Sequence, residues 1–462
     1  MNEYKNRWLI LRYLVIGAFL SPLDYFIVNM ALPAIKSSFQ ATENQLQMVI
    51  AIYGLTYAAL VVCSGKLGDI YGRRKIFTLG LWIFLFSSLA CAVSPSINGL
   101  IFSRFIQGIG ASLLGPQVLA SIKILFNDAE RPKALGIFGA VFGLAAIIGQ
   151  LFGGILLDLN LWGLSWELIF LVNIPVAGVC LYGIYGTMPK EPVQKQKLDY
   201  IGVLLIISSL LSFITPLIYG RTFNWAWWIF TVILFSFILL GLFVKYEQDR
   251  EKRNQPVLIS LRLFKNKTFA YNLPIILFYN FTSGLFICYP YYLQSHLTWG
   301  VLASGIAIVP YGIGFFLGPL LFARVLKNNS FWIKSALGLL FVSFIVLGVL
   351  FYWSEKPHAI THILFLFAGL GHGLIMPVMM KQSIQTISLN QAGQASGIVS
   401  TIMQIGGVLG GAIIGTIFFS LSEVIGYSSA FAIALGTIGI VQLMSIAFYK
   451  VIHKKQFKPI II

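Results

Sequence analysis

Apolar residues run along this chain in long blocks separated by short polar breaks. A helix crossing a lipid bilayer needs about 20 mostly apolar residues. Fourteen blocks meet that length, at 8–33, 46–65, 76–94, 98–121, 134–157, 166–187, 199–219, 225–245, 268–293, 300–326, 331–353, 358–380, 392–420 and 427–450. The first follows Lys5 and Arg7, as a secretory leader would, but it is too long, lacks a small-residue cleavage motif and precedes thirteen more blocks. The longest polar interval, 246–267, is too short for a domain. The pattern predicts an all-α integral membrane protein with no soluble catalytic domain.

Composition agrees. A chain of 462 residues would otherwise make two or three soluble domains, but 58% of it is hydrophobic, 10% is charged and the mean hydropathy is +0.85. That is too little charge for a water-facing surface or for disorder. The net charge of +17 would point to nucleic acid in a soluble protein. Here no soluble module exists to bind it, and basic residues collect on cytoplasmic loops of membrane proteins. With the amino terminus inside and the loops alternating, 28 of the 32 Lys and Arg residues fall on the cytoplasmic side, 3 fall outside and Arg104 lies within a span. This split predicts a multi-pass protein of the inner (plasma) membrane with both termini cytoplasmic. Cys63, Cys91, Cys180 and Cys288 sit in apolar runs without CxxC spacing, so neither a disulfide framework nor a metal site is expected.

Charge inside a span costs at least about 2.5–3.5 kcal/mol and marks function. Asp24 lies in the first span and Arg104 in the fourth, both in the outer half of the membrane at about 1.5 Å per residue. They are expected to interact, directly or through water. A buried ion pair that only locks two helices is one reading, although apolar packing would cost less. Proton coupling is the other, because burial and a neighbouring cation act on a carboxyl group in opposite senses. The remaining acids considered, Asp158, Glu167, Glu355 and Glu423, lie near outer helix ends. His372, Gln404, Gln107, Asn29, Tyr53 and Tyr57 are polar or amphipathic groups at membrane depth, suited either to substrate contact or to interhelical hydrogen bonding. His372 could also handle protons. Small-residue runs stud the fifth span (Gly139, Gly143, Gly149, Gly153, Gly154) and the thirteenth (Gly406, Gly407, Gly410, Gly411, Gly415). They permit close helix packing, static or sliding. No phosphate-binding loop, nucleophile triad or metal cluster appears, so no enzyme activity and no cofactor are expected.

Several segments together resemble the fourteen-helix drug:proton antiporter branch of the major facilitator superfamily, over almost the whole length. "LDYFIVNMALP" (23–33), "GKLGDIYGRRK" (65–75), "RFIQGIGAS" (104–112), "PVLISLRLFKNKTF" (256–269), "YLQSHLTWGVLASGIAIVP" (292–310) and "ASGIVSTIMQIGGVLGGAIIGT" (395–416) occur in the family's order. Three positions depart: Gln150 stands where the fifth-helix motif has proline, Glu167 follows Trp166 where relatives often have Arg, and Phe26 replaces a frequent Thr. The resemblance implies the major facilitator fold: a six-helix bundle (1–187), two inserted helices (188–245), a cytoplasmic loop (246–267) and a second six-helix bundle (268–462), rocking to give alternating access. It also implies that Gly65, Asp69, Gly72, Arg73 and Arg74 form a conformational latch, with Asp69 capping or pairing with helix ends and the arginines pairing with acids. Asp24 and Arg104 would couple protons to export of a lipophilic or amphipathic molecule. A dedicated exporter of one metabolite is the alternative, and dications are disfavoured because they prefer a second carboxylate. The expected partners are a small-molecule substrate, protons and membrane lipids, without nucleic acid, around a monomer.

Overall fold

The computed structural model describes residues 6–159, 163–189, 199–220, 223, 225–253, 255–325, 330–385, 387–388 and 391–456. Among them there is no strand. The helices are α1 (Arg7–Phe39), α2 (Glu43–Tyr71), α3 (Arg73–Ala92), α4 (Ile97–Ser112), α5 (Gly115–Leu125), α6 (Arg131–Leu159), α7 (Leu168–Leu171), α8 (Asn173–Thr187), α9 (Tyr200–Tyr219), α10 (Trp227–Lys252), α11 (Lys267–Tyr279), α12 (Leu285–Tyr291), α13 (Val301–Val325), α14 (Ser330–Trp353), α15 (Ala359–Gln385), α16 (Ala392–Ile425) and α17 (Tyr427–Gln456). They make 14 stretches long and apolar enough to cross a membrane.

Several spans differ in detail from the sequence expectation. The 65–75 segment is not an open loop. Helix α2 runs to Tyr71 and α3 starts at Arg73, so Gly72 alone breaks the path. Its φ of 90° and ψ of 135° suit a residue without a β-carbon. The fourth span breaks after Ser112 and resumes with Pro116 in the first turn of α5, where a missing N–H costs nothing. The ninth span is four pieces: α11, a 3-10 turn at Asn280–Gly284, α12, and a π turn at Tyr292–His296. Pro274 and Pro290 lie within it and remove backbone donors. The polar stretch 246–267 is largely ordered, because α10 continues to Lys252 and a 3-10 turn spans Leu261–Lys265.

Packing divides the chain into two units. The first comprises Met1–Ala134, Ile148–Leu261 and Ser388–Thr401. Within it α2 and α3 pack on α4, α1 and α3 on α8, and α9 on both α10 and α2. Gly149 and Gly153 of α6 lie against Phe26, Ile27 and Met30 of α1, leaving no room for a β-carbon at Gly149, and Gly154 is buried. One apolar cluster gathers Ile27, Val28, Ala31, Val49, Cys91, Leu100, Trp166 and Phe170, from helices that also carry the buried charges.

The second unit comprises Leu135–Ile147, Arg262–Ile387 and Ile402–Ile462. Here α13 and α15 make the closest helix pair. Gly314 and Gly318 face Gly369 and Gly373, and a β-carbon at any of the four would strike the opposite backbone. Gly406 and Gly410 of α16 approach Leu277 and Phe281 just as closely, and Gly143 of α6 meets Phe315 and Phe316. Gly143, Gly149, Gly406 and Gly410 therefore mark close backbone approaches within their units, whereas Gly139 and Gly153 meet side chains and a β-carbon at Gly407 would meet nothing within 4 Å.

Candidate functional site

Asp24 and Arg104 face each other from α1 and α4 and form a direct ion pair between Arg104 Nη1 and Asp24 Oδ2, exposed by 0% and 1% respectively. Neither points into lipid. Side chains from α3, α4 and α8 close around the pair. Gln107, one turn beyond Arg104, accepts from Arg104 Nη1 at 2.6 Å through Oε1 and donates to Asp24 Oδ1 at 2.9 Å through Nε2. Asn173, at the start of α8, donates to the same Oδ1 at 3.1 Å. Ser88 of α3 accepts from Gln107 at 2.9 Å and from Asn173 at 3.4 Å. Arg104 Nε donates to the Val49 carbonyl at 3.1 Å, and its guanidinium lies 4.2 Å from the Tyr53 ring centre. Cys91 Sγ leans on Gln107 Oε1 at 3.8 Å.

The planar guanidinium explains why Arg stands here: its separate N–H groups address a carboxylate, an amide and a backbone carbonyl at once, which an ammonium cannot do from one position. The network also shows which residues sequence reasoning missed. Asn173 completes the shell of Asp24 and Ser88 braces it, yet each is an uncharged polar residue in an apolar run, without the intramembrane charge that marks Asp24 and Arg104. Asn173 Oδ1 is buried and accepts no hydrogen bond from the described residues. Gln150, where relatives carry proline, is fully buried with neither side-chain polar atom hydrogen-bonded to a described residue.

The remaining expected residues are placed as follows. Tyr53 is buried and its hydroxyl meets Ser21, 3.0 Å from Oγ and 3.1 Å from the carbonyl. Tyr57 is half-buried, with its ring 6.5 Å from that of Tyr53. Asn29 is half-buried and spends its amide on the Tyr25 carbonyl at 2.9 Å, one turn back in its own helix. Gln404 is half-buried on α16. His372 lies on α15 inside an aromatic enclosure. Tyr311 hydrogen-bonds its Nδ1, Phe315 stacks at 4.4 Å between ring centres, Tyr279 meets it edge-on at 4.2 Å, and the Tyr279 hydroxyl donates to the His372 carbonyl at 2.7 Å. The neighbouring-helix hydrogen bond weighed for this imidazole is present.

In the 65–75 segment, Asp69 Oδ1 accepts from Arg73 Nη2 at 2.6 Å. The Asp69 carboxylate lies against Gly393, in the first turn of α16, so closely that a β-carbon at Gly393 would overlap it. Gly65 meets the Gly393 carbonyl in the same way. An acid at the start of a helix complements its dipole. Among the described residues Arg74 is paired with no acid; it donates to the Tyr185 carbonyl at 3.0 Å and lies over the Tyr185 ring. Of the outer-end acids, Glu167 accepts from the Ser165 N–H at 2.8 Å, while the side chain of Asp158 lies outside the described residues.

Residues 14–202 and 200–411 match the profile of the Major Facilitator Superfamily. A probable actinorhodin transporter of Streptomyces coelicolor is 31% identical, over 90% of this chain and 73% of its own. The multidrug transporter protein MdtP of Bacillus subtilis is 28% identical over 90% of this chain and 76% of its own. The crystal structure of the human organic anion transporter MFSD10 superposes with a TM-score of 0.69 at 16% identity, over 96% of this chain and 99% of that one, a likeness of fold. The family match and the fourteen stretches among the described residues that are apolar enough to span a membrane make this a multi-pass membrane transporter rather than an enzyme. The chain belongs to the major facilitator superfamily and, within it, to the fourteen-helix drug-efflux branch.

Proposed function

We propose that this transporter is a proton-coupled antiporter exporting lipophilic or amphipathic small molecules by alternating access, with Asp24 as the proton-carrying group. The observation that carries this reading is the fully buried Asp24–Arg104 pair, its carboxylate held by three side-chain donors, Arg104 and Gln107 from α4 and Asn173 from α8. Breaking a buried ion pair by neutralising one partner is costly, about 3–5 kcal/mol if nothing replaces it. Here replacements stand ready. When Asp24 takes up a proton, Arg104 keeps the Gln107 amide oxygen and the Val49 carbonyl as acceptors. The new Asp24 hydroxyl needs an acceptor, and turning over the Asn173 amide presents its unused Oδ1. The charge change therefore reorganises contacts among α1, α4 and α8 while Arg104 keeps hydrogen-bond acceptors but loses its counter-charge, which gives protonation a driving force for helix movement.

In this reading the six-helix bundles 1–187 and 268–462 rock, with the helices of 188–245 and the loop 246–267 between them in sequence. Gly65, Asp69, Gly72, Arg73 and Arg74 act as the latch, through the contact of Asp69 with the start of α16. Asn29, Tyr53, Tyr57 and Gln107 in the first unit, and His372 and Gln404 in the second, are proposed substrate contacts. The monomer sits in the inner (plasma) membrane with both termini cytoplasmic, which the 28-to-3 split of basic residues supports. A second reading, export of one dedicated metabolite, is favoured by the relative named for actinorhodin transport.

A substrate screen in proteoliposomes with an imposed pH gradient tests both. Gradient-driven transport of several unrelated lipophilic compounds supports multidrug export, and transport of one alone supports the dedicated reading. Asp24→Asn should abolish gradient-driven transport while leaving expression and folding intact. Full transport by that variant would sink the proton-coupling proposal.

A further inference from the structure

The second inserted helix carries a buried acid that the Asp24 network does not use. Glu247 of α10 is 0% exposed, and Lys66, inside the 65–75 segment, is 6% exposed. Glu247 is met from two directions. The Leu258 N–H donates to both of its oxygens, at 3.1 and 3.3 Å, and the Ile259 N–H faces the same carboxylate. Lys66 lies within electrostatic reach of both Glu247 and Asp69. The other acids here have cations of their own: Arg73 holds Asp69, and Arg250 Nε stands 3.4 Å from Asp199 Oδ2. Backbone donors and a facing lysine both favour the ionised carboxylate at Glu247.

Segment 255–261 carries this anchor onward to α16. Arg250 Nε donates to the Pro256 carbonyl at 2.9 Å, and the Ser260 hydroxyl donates to Glu251 at 2.6 Å, so the segment is folded back along α10. The Ser260 N–H then donates to Gln394 Oε1 at 3.2 Å. Gln394 adjoins Gly393, whose backbone abuts the Asp69 carboxylate and Gly65, and one turn along a β-carbon at Gly397 would lie 2.8 Å from the Val62 carbonyl. These glycine contacts are close but supply few directed bonds between α2 and α16. The directed bonds come from α10 and its trailing segment. Helix α16 begins in the first unit, within Ser388–Thr401, and continues in the second from Ile402, so its start is where a fastening bears on the whole helix.

We propose, resting on the reading of the 65–75 segment as a latch, that α10 is a working part of that latch. Glu247 is its anchor: the carboxylate grips the 65–75 segment through Lys66 and segment 255–261 through the Leu258 N–H, and Ser260 passes the grip to Gln394. The start of α16 is thereby held against Asp69 from two sides. Lys66, Glu247, Ser260 and Gln394 are positioning residues, acting through the contact between Asp69 and Gly393. Neutralising Glu247 weakens a charge-assisted bond and leaves Lys66 without that partner, so both arms slacken together.

The test follows amide hydrogen exchange of the full-length protein in lipid nanodiscs, in mildly alkaline buffer that keeps the carboxylate ionised. Glu247→Gln should speed exchange about tenfold, the scale of a lost hydrogen bond to a charged group, in 255–261 and also in 65–75 and 392–401, while α4 keeps wild-type protection. Lys66→Met should loosen 65–75 and 392–401 and leave 255–261 fastened; Lys66→Arg should keep all three protected. Gln394→Ala should loosen 392–401, and adding it to Glu247→Gln should change little there, because the two act in series. In proteoliposomes Glu247→Gln should shift turnover at unaltered substrate affinity. The proposal is overturned if Glu247→Gln frees 255–261 alone, or if its effect on 392–401 multiplies with that of Gln394→Ala. Should Glu247→Gln not fold, wild-type protection of 392–401 in both Lys66→Met and Gln394→Ala overturns it equally. Asp69→Asn separates the two readings. If Asp69→Asn loosens 392–401 and shifts turnover while Glu247→Gln does neither, the latch stands and the anchor falls. If both variants loosen 392–401 at wild-type turnover, the anchor holds the helix start and the latch reading falls.

Discussion

The two units bury polarity in opposite ways. In the first, a full charge is met by a full charge: Asp24 and Arg104 are paired, and Gln107, Asn173 and Ser88 close the remaining valences. In the second, the buried imidazole of His372 has no charged neighbour among the described residues and is wrapped by Tyr279, Tyr311 and Phe315. The difference teaches that the network able to store a charge and the enclosure able only to present dipoles and ring faces lie on different helices. On the proposed reading, the His372 enclosure can therefore be perturbed without touching the Asp24–Arg104 pair.

The largest expected effect comes from Asp24→Asn. It keeps the shape and most hydrogen bonds, yet gradient-driven transport should vanish while downhill substrate flux persists; loss of both together would mean a purely structural role. Arg104→Ala should follow. Removing one partner of a buried ion pair strands the other and costs about 3–5 kcal/mol, readable as a fall in thermal unfolding temperature of the detergent-solubilised protein. A double variant, Asp24→Asn with Arg104→Gln, should recover much of that stability without recovering coupling.

Smaller effects sharpen the contrast. Tyr311→Phe removes the hydrogen-bond partner of His372 and should cost about 1–3 kcal/mol for the unsatisfied ring nitrogen. It should alter substrate affinity or selectivity while leaving the pH dependence of transport as in wild type. A shifted pH profile would show that His372 shares in proton handling and would erase the distinction drawn between the units. Gly72→Ala should be the mildest in free energy, about 1–2 kcal/mol for a β-carbon in a left-handed backbone conformation. Its signature is altered transport rate through the 65–75 segment, with substrate binding preserved.

Much of this architecture is legible in the chain because lipid is an exacting solvent. Span length, charge asymmetry and the rarity of intramembrane charge suffice to locate fourteen helices and to single out Asp24 and Arg104. Other features are hidden for physical reasons. Asn173 and Ser88 are uncharged, and only a three-dimensional meeting of α1, α3, α4 and α8 makes them part of one shell. Glu247 belongs to a stretch that reads as solvated loop, because a helix may carry charges beyond the apolar core, and its burial arises from the fold of 255–261 back onto α10. Hydropathy does not reveal the break of the ninth span, since the 3-10 and π turns leave the apolar run intact. The close pairing of Asp69 with Gly393 links segments over 300 residues apart, which no local pattern can report.

Proton release on substrate binding tests the central claim most directly. Using a compound found in the vesicle screen, substrate added to the purified transporter in weakly buffered solution should acidify the medium with wild type and leave it unchanged with Asp24→Asn, at equal substrate occupancy. Equal proton release by both proteins would contradict the assignment of Asp24 as the coupling group.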